Sequence, residues 1–153
     1  MYLSRTRYRG LRADVDHVQD IVEGVKLAEP AAIAEAAHWL SRVRRLHGPA
    51  LVVPVPRSRV DRPSLLPLCK ALVERGVGTE AGVLVERRVP VESSRLRRRA
   101  GLQAVGAAQH RESFTTLSPM LHEAGRPLLL VDDLSTEGRV LTAVRVMSGR
   151  AKR

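Results

Sequence analysis

The chain has 153 residues, enough for one domain with a buried core, and its 26 lysine and arginine residues exceed its 16 aspartate and glutamate residues to give a net charge of +10. No apolar run reaches the roughly 18 residues that cross a bilayer, and the first residues lack the apolar core of a secretory signal. Cys69 is the only cysteine, which excludes an internal disulfide and a cysteine-based zinc cluster. We therefore expect a cytoplasmic protein without a membrane segment, whose basic surface attracts phosphate in nucleotides or nucleic acid.

Residues 1–47 are predicted to form a small helical cap. Asp14 or Asp16 would open a first helix, whose apolar face is set by valines at positions 15, 18, 22 and 25. Pro30 fits the first position of a second helix, and Gly48-Pro49 would stop it. Trp39 lies beside the apolar stripe of this second helix, where packing within the cap explains it better than stacking on a ligand.

Residues 48–148 are predicted to form an α/β core, followed by a basic tail over 149–153. The apolar spacing that starts at Leu65 predicts a helix that keeps Pro67 in its first turn and ends near Gly76. The alternation of strands and helices favours a mostly parallel sheet flanked by helices, within a single domain. The apolar segments that predict strands are 50–55, 83–86, 113–116 and 127–131.

The most informative segment is the apolar run 128–131, which leads directly into Asp132 and Asp133. A hydroxyl-rich turn over 134–138 follows, and then the apolar spacing of a helix begins. Backbone N–H groups at a helix start can hold a phosphate, and paired carboxylates can accept hydrogen bonds from ribose hydroxyls or help to hold a cation. Because ligands bind at the carboxyl ends of parallel strands, Arg57 is expected on the same rim as Asp132 and Asp133. The segment indicates a sugar-phosphate site.

This segment resembles the phosphoribosyl-pyrophosphate (PRPP) signature of type I phosphoribosyltransferases. From about Tyr8 to Met147 the chain is similar to the phosphoribosyltransferase part of the ComF family, proteins associated with competence and DNA uptake. The resemblance implies a type I phosphoribosyltransferase-like fold and transfer of the phosphoribosyl group from Mg²⁺-bound PRPP to a nitrogenous acceptor. Further segments stand in the family's order: Val25-Lys26-Leu27, Val53-Pro54-Val55-Pro56 followed by Arg57 and Arg59, the arginine-rich segment 95–99, and His110-Arg111-Glu112-Ser113-Phe114.

The resemblance also implies a role for each site residue. Asp132 and Asp133 would hold the ribose hydroxyls, with Mg²⁺ bound through PRPP and, as one option, by these two carboxylates. Arg98 and Arg99 would neutralise pyrophosphate as part of a mobile catalytic loop that continues through the small residues 100–108. Pyrophosphate would also be bound by Arg57, Ser58 and Arg59. The 5′-phosphate would be bound by Leu134, Ser135, Thr136, Glu137, Gly138 and Arg139.

The signature departs from the family's pattern at Glu137, where a hydroxyl residue is usual, and at Arg139, where a small residue is common. A carboxylate about 4 Å from the 5′-phosphate costs roughly 4 kcal/mol at an effective dielectric of about 20, which is about three decades of affinity. Arg139 would offset part of this repulsion if its guanidinium turns toward the phosphate. Glu137 equally fits an acid in the first turn of a helix that binds no ligand. The alternative function is a catalytically degenerate module that senses nucleotides or binds DNA.

Type I enzymes normally add another strand after the helix that reaches Met147, and the sequence beyond it predicts none. Either the sheet lacks this edge strand, or a second copy or a partner chain completes it. The segment 57–59 also fits an ordinary basic turn, and the segment 95–99 also fits a solvated helix face or a nucleic-acid patch. Aromatic residues make up only 3% of the chain, which argues against base stacking on such a patch. For His110, local packing is the better explanation.

Overall fold

The structure, a computed structural model, describes residues 12–42, 48–57, 63–92, 97, 99–103, 105–116 and 127–132. The helices in this part of the chain are α1 (Arg12–Lys26), α2 (Pro30–Ser41), α3 (Leu66–Glu74) and α4 (Ala107–Glu112). The strands are β1 (Leu51–Pro54), β2 (Glu80–Ala81), β3 (Val85–Arg87), β4 (Phe114–Thr116) and β5 (Leu128–Val131). Within these residues, no helix combines the length and the apolar character needed to cross a bilayer.

β1 is the central strand of a parallel three-stranded sheet in the order β2-β1-β5. The chain leaves β1, passes through α3 and returns as β2 on one side, whereas β5 pairs with the other side. Leu51 lies between Glu80 and Leu128 in the register, and Pro54 lies beside Val131. Helices flank this sheet, so the predicted α/β class with a parallel sheet is confirmed.

β3 and β4 form a separate antiparallel ribbon, in which Arg87 pairs with Phe114. Both segments are strands, as predicted, but they pair with each other and not with the parallel sheet. β3 alternates buried Val85 and Arg87 with exposed Glu86, which is the pattern of an antiparallel strand with one solvated face. On the side of β1 away from β5, the neighbouring strand is β2, whose two residues carry no strand signal of their own.

Alternate residues of β1 face two separate hydrophobic clusters. The first lies between the sheet and the helices, and its buried members include Val25, Ala37, Val52, Leu68, Leu72 and Val131. The second lies between the sheet and the ribbon, and its buried members are Leu51, Val53, Val55, Leu84, Val85 and Phe114. β1 is therefore buried on both faces, which explains its unbroken apolar run, and the ribbon covers the face opposite the helices.

The two helices predicted within residues 1–47 are present as α1 and α2, and a tight turn joins them at Ala28, whose φ of 59° lies in the left-handed region. Gly24 is buried where the two helices meet. A Cβ atom at Gly24 would lie 2.5 Å from the Cβ of Ala32, so only glycine permits this close approach of the helices.

Prolines mark two helix starts as predicted. Pro30 and Pro67 each occupy the first turn of a helix, α2 and α3 respectively. α3 ends at Glu74, close to the predicted end near Gly76. α2 ends at Ser41, earlier than the stop predicted at Gly48-Pro49. Glycine and proline break a helix that reaches them, but they do not make the helix extend that far.

Candidate functional site

The carboxyl ends of β1 and β5 lie side by side at one rim of the sheet. Pro54 pairs with Val131, and the N–H of Val55 donates a hydrogen bond to the carbonyl oxygen of Val131 at 2.8 Å. Arg57 follows Val55 by two residues, and Asp132 directly follows Val131. The structure therefore brings Arg57 and Asp132, both half-buried, to the same rim, as predicted.

Arg57 also connects this rim to the cap. Its Nη2 donates a hydrogen bond to the carbonyl oxygen of Val25, in the last turn of α1, at 3.4 Å. The neighbouring Lys26 forms an ion pair with Glu23 at 2.6 Å. Val25 is the first residue of the segment 25–27, and it thus contacts Arg57 in the loop that follows β1.

Arg87 is a buried arginine that the sequence patterns did not predict. Only 7% of its surface is exposed, and it donates hydrogen bonds to the carbonyl oxygens of Arg57 and Pro56 (the latter at 3.5 Å) and to Oγ of Ser113 at 2.5 Å. Its guanidinium carbon lies 4.6 Å from the centroid of the Phe114 ring. Burial lowers the pKa of Arg87 to about 10, so the side chain remains charged at neutral pH.

The ribbon and α4 hold Arg87 in place. Oγ of Ser113 accepts the hydrogen bond from Arg87 and donates one to the carbonyl oxygen of His110 at 2.7 Å. The buried ring of His110 stacks on Phe114 with a centroid distance of 6.4 Å, so the expected local packing of His110 is confirmed. The spacing from Val85 places Arg87 on the same face of the strand, because residues two apart in a strand share a face, but this spacing does not show that the face is buried.

The segment after the ribbon's first strand is held by Arg97. Its Nε donates a hydrogen bond to the carbonyl oxygen of Gln103 at 2.6 Å, and its Nη1 pairs with Glu92 at 3.3 Å. Arg99, predicted to neutralise pyrophosphate, has an exposed side chain. Within the described ranges it forms no hydrogen bond or ion pair with Arg57 or Asp132, and its role in loop closure stays a prediction.

Most of the predicted phosphate site lies outside the described residues. Within the described part of the chain, no group of three or more His, Cys, Asp or Glu side chains is placed to hold a metal ion. The expectation of Mg²⁺ therefore depends on Asp132 and on positions beyond the described ranges. The predicted positions that lie there are the basic tail over 149–153 and Ser58, Arg59, Arg98, Asp133, Leu134, Ser135, Thr136, Glu137, Gly138 and Arg139.

Comparison with known proteins gives no family assignment: no family model matches the chain, and neither does a curated protein or a solved structure. The α/β fold and the rim formed by Arg57 and Asp132 therefore rest on the geometry of this chain. The resemblance to phosphoribosyltransferases stays a hypothesis.

Proposed function

We propose that the chain binds PRPP at this rim and transfers its phosphoribosyl group to a nitrogenous acceptor. The observation that carries the proposal is the adjacency of Arg57 and Asp132 at the carboxyl ends of neighbouring parallel strands. The chain runs from β1 to β2 on one side of the sheet and later to β5 on the other, so this rim is a topological switch point. Open α/β sheets bind their ligands in the crevice at such a point.

Arg57 and Asp132 also match the two chemically different parts of PRPP. A carboxylate accepts hydrogen bonds from a ribose diol, whereas a guanidinium binds phosphate oxygens with two parallel hydrogen bonds. Asp132 would therefore orient the sugar, and Arg57 would bind the pyrophosphate. Adjacent strands lie about 4.8 Å apart, so a molecule as large as PRPP can contact Arg57 and Asp132 at the same time.

Transfer would proceed by positioning and charge stabilisation, without a covalent nucleophile. As the bond to pyrophosphate breaks, the sugar becomes oxocarbenium-like and negative charge develops on the leaving group. Arg57 would stabilise that charge while Asp132 holds the ribose in line with the acceptor. Mg²⁺, when bound, would add positive charge at the pyrophosphate, and the Asp132 carboxylate is an oxygen ligand of the kind this cation prefers.

Calorimetric titration of PRPP, with and without Mg²⁺, tests this proposal. Micromolar binding that depends on Mg²⁺ and is lost in the Asp132→Asn/Asp133→Asn double variant would support it. The matched control is Asp16→Asn/Asp20→Asn, which makes the same two substitutions at exposed positions of α1 and should bind as wild type does. Binding that survives in Asp132→Asn/Asp133→Asn would contradict the assigned role of the rim.

A Glu137→Thr variant separates an active site from a degenerate one. This substitution restores the hydroxyl that the family's pattern has at this position and removes the negative charge. Absence of PRPP binding in wild type, with binding gained in Glu137→Thr, would show that the fold persists and the phosphate site has decayed. The alternative of a degenerate nucleotide-sensing module would then replace the enzymatic proposal.

DNA binding is a second candidate function, and the net charge of +10 favours it. The described residues include about as many acidic as basic side chains, so the excess of arginine and lysine belongs to the other segments of the chain. Affinity for DNA from such segments should fall steeply as salt is raised, because counterions are released on binding. Binding of PRPP should instead depend on Mg²⁺ and on the Asp132 carboxylate. Measuring both dependences therefore distinguishes DNA binding from PRPP binding.

A further inference from the structure

Arg87 is a buried cation that has no buried counter-ion among the described residues. Its contacts are two carbonyl oxygens, one hydroxyl oxygen and the Phe114 ring, and no carboxylate of the described residues lies within ion-pair distance of it. Buried charges are usually paired, because taking an unpaired charge out of water is costly. The positive charge of Arg87 is therefore not neutralised by these contacts.

Two of the three hydrogen bonds from Arg87 reach the backbone of the loop that follows β1. They hold the carbonyl oxygens of Pro56 and Arg57. The described peptide bonds are trans, and in a trans peptide the carbonyl and the following N–H point in opposite directions. With the Pro56 carbonyl turned toward Arg87, the N–H of Arg57 is directed away from it. Arg87 thus sets the direction of a backbone donor in the predicted pyrophosphate loop.

We propose that Arg87 is a positioning residue for a pyrophosphate group that binds beside Pro56 and Arg57, whose carbonyl oxygens it holds while it adds a fixed positive charge beside them. Arg87 acts through the loop and does not touch the anion. The inference rests on the proposed function, since pyrophosphate is the leaving group of PRPP. Inorganic pyrophosphate presents the same diphosphate chemistry and allows Arg87 to be tested without the sugar.

A purely structural arginine would tie the ribbon to the loop after β1 and do nothing more. Such a residue would affect anion binding only as far as its loss destabilises the fold. A positioning residue would change the affinity for pyrophosphate by more than a core substitution of equal effect on stability. The comparison of affinity at matched stability therefore separates the two roles.

The test is titration of inorganic pyrophosphate and of PRPP, each with Mg²⁺, into wild type, Arg87→Met and Arg87→Lys. Methionine keeps much of the side-chain length and removes the charge and the donors, whereas lysine keeps the charge but cannot reach all three oxygens. We expect the pyrophosphate affinity to fall roughly ten- to hundredfold in Arg87→Met, and by less in Arg87→Lys.

Two controls accompany these variants. Arg88→Met removes the same charge from the exposed neighbour of Arg87, and Val77→Ala lowers stability in the core cluster on the helix side of the sheet. Both should keep a pyrophosphate affinity within about twofold of wild type, because the hydrogen bonds to the carbonyl oxygens of Pro56 and Arg57 come from Arg87 and remain in both variants. Equal losses in Val77→Ala and Arg87→Met would overturn the positioning role.

The outcomes for Arg87 and for the proposed function are distinguishable. Wild-type affinity for pyrophosphate in Arg87→Met overturns the role of Arg87 and leaves the PRPP proposal standing. Pyrophosphate binding that depends on Arg87, without PRPP binding in wild type, supports the role of Arg87 and overturns phosphoribosyl transfer. Failure of wild type to bind either ligand overturns both proposals.

If Arg87→Met does not fold, Arg87→Lys tests the role of Arg87. Faster hydrogen exchange at the Arg57 N–H in Arg87→Lys is then the expected sign of a loosened loop.

Discussion

Arg57 donates a hydrogen bond from Nη2 to the carbonyl oxygen of Val25 at 3.4 Å. The same oxygen accepts the N–H of Ala28 at 3.2 Å, a bond that closes the last turn of α1. A cation at the carboxyl end of a helix also complements the helix dipole. The guanidinium proposed to bind pyrophosphate therefore also stabilises the end of the cap, and this side chain couples the cap to the rim.

Replacing Arg57 by methionine should loosen the end of α1 and weaken PRPP binding together. The free energy of unfolding should fall by about 1 kcal/mol, since the lost hydrogen bond is long and only half-buried. The affinity for PRPP should fall at least about tenfold, because a charge-assisted contact to phosphate is lost. Urea denaturation, calorimetry and hydrogen exchange at the Ala28 N–H measure these effects. The control is Lys70→Met, which removes a charge from an exposed position of α3 and should change neither stability, PRPP affinity nor hydrogen exchange. Unchanged hydrogen exchange at the Ala28 N–H in Arg57→Met would refute the coupling of the cap to the rim.

Replacing Ser113 by alanine should destabilise the fold by about 1–3 kcal/mol, because the buried Nη1 of Arg87 loses its acceptor. Urea denaturation gives the free energy of unfolding. The control is Thr115→Ala, an exposed position of β4, which should cost no more than about 0.5 kcal/mol. Equal losses in the two variants would mean that water or another group replaces the Ser113 hydroxyl beside Arg87.

The two four-residue parallel strands were predictable because each is an apolar run that is followed within three residues by a charged side chain. β1 is buried on both faces and needs no polar position, so its sequence is uninterrupted. β5 ends at Val131, immediately before Asp132. Parallel pairing then brings the residues after both strands to one rim, which is why Arg57 and Asp132 could be placed together from the sequence.

The partner of β1 and the buried arginine could not be found in the same way. β2 has only two residues, and the hydrogen bonds around it, from the N–H groups of Thr79 and Gly82 to the carbonyl oxygens of Ala50 and Val52, are made by backbone atoms of no particular sequence. An arginine in a strand normally indicates a solvated position. The burial of Arg87 depends on oxygens far away in the chain, which no local pattern reports.

Replacing Gly24 by alanine should destabilise the cap. The new Cβ would lie 2.5 Å from the Cβ of Ala32, so the two helices would have to separate. Overpacking costs about 1–3 kcal/mol, and the better helix propensity of alanine offsets roughly 1 kcal/mol, so the net loss should be up to about 2 kcal/mol in urea denaturation. At Gly82, the control, a Cβ meets only Leu51 Cδ1, at 3.6 Å, and Gly82→Ala should cost less. A more stable Gly24→Ala protein would contradict the close approach of α1 and α2.

Cys69 should make the protein less stable as the pH rises above 9. Burial raises the pKa of its thiol from 9.0 to about 12, because the core solvates the thiolate poorly. Between these two pH values the unfolded chain releases a proton that the folded chain retains, so the free energy of unfolding should fall by up to about 1.4 kcal/mol per pH unit. Urea denaturation in reducing buffer, at pH values below and above 9, measures this slope for wild type and for Cys69→Ala. The variant should start less stable, since it loses buried volume, but its stability should decline more gently; parallel curves would show that Cys69 does not contribute to the pH dependence.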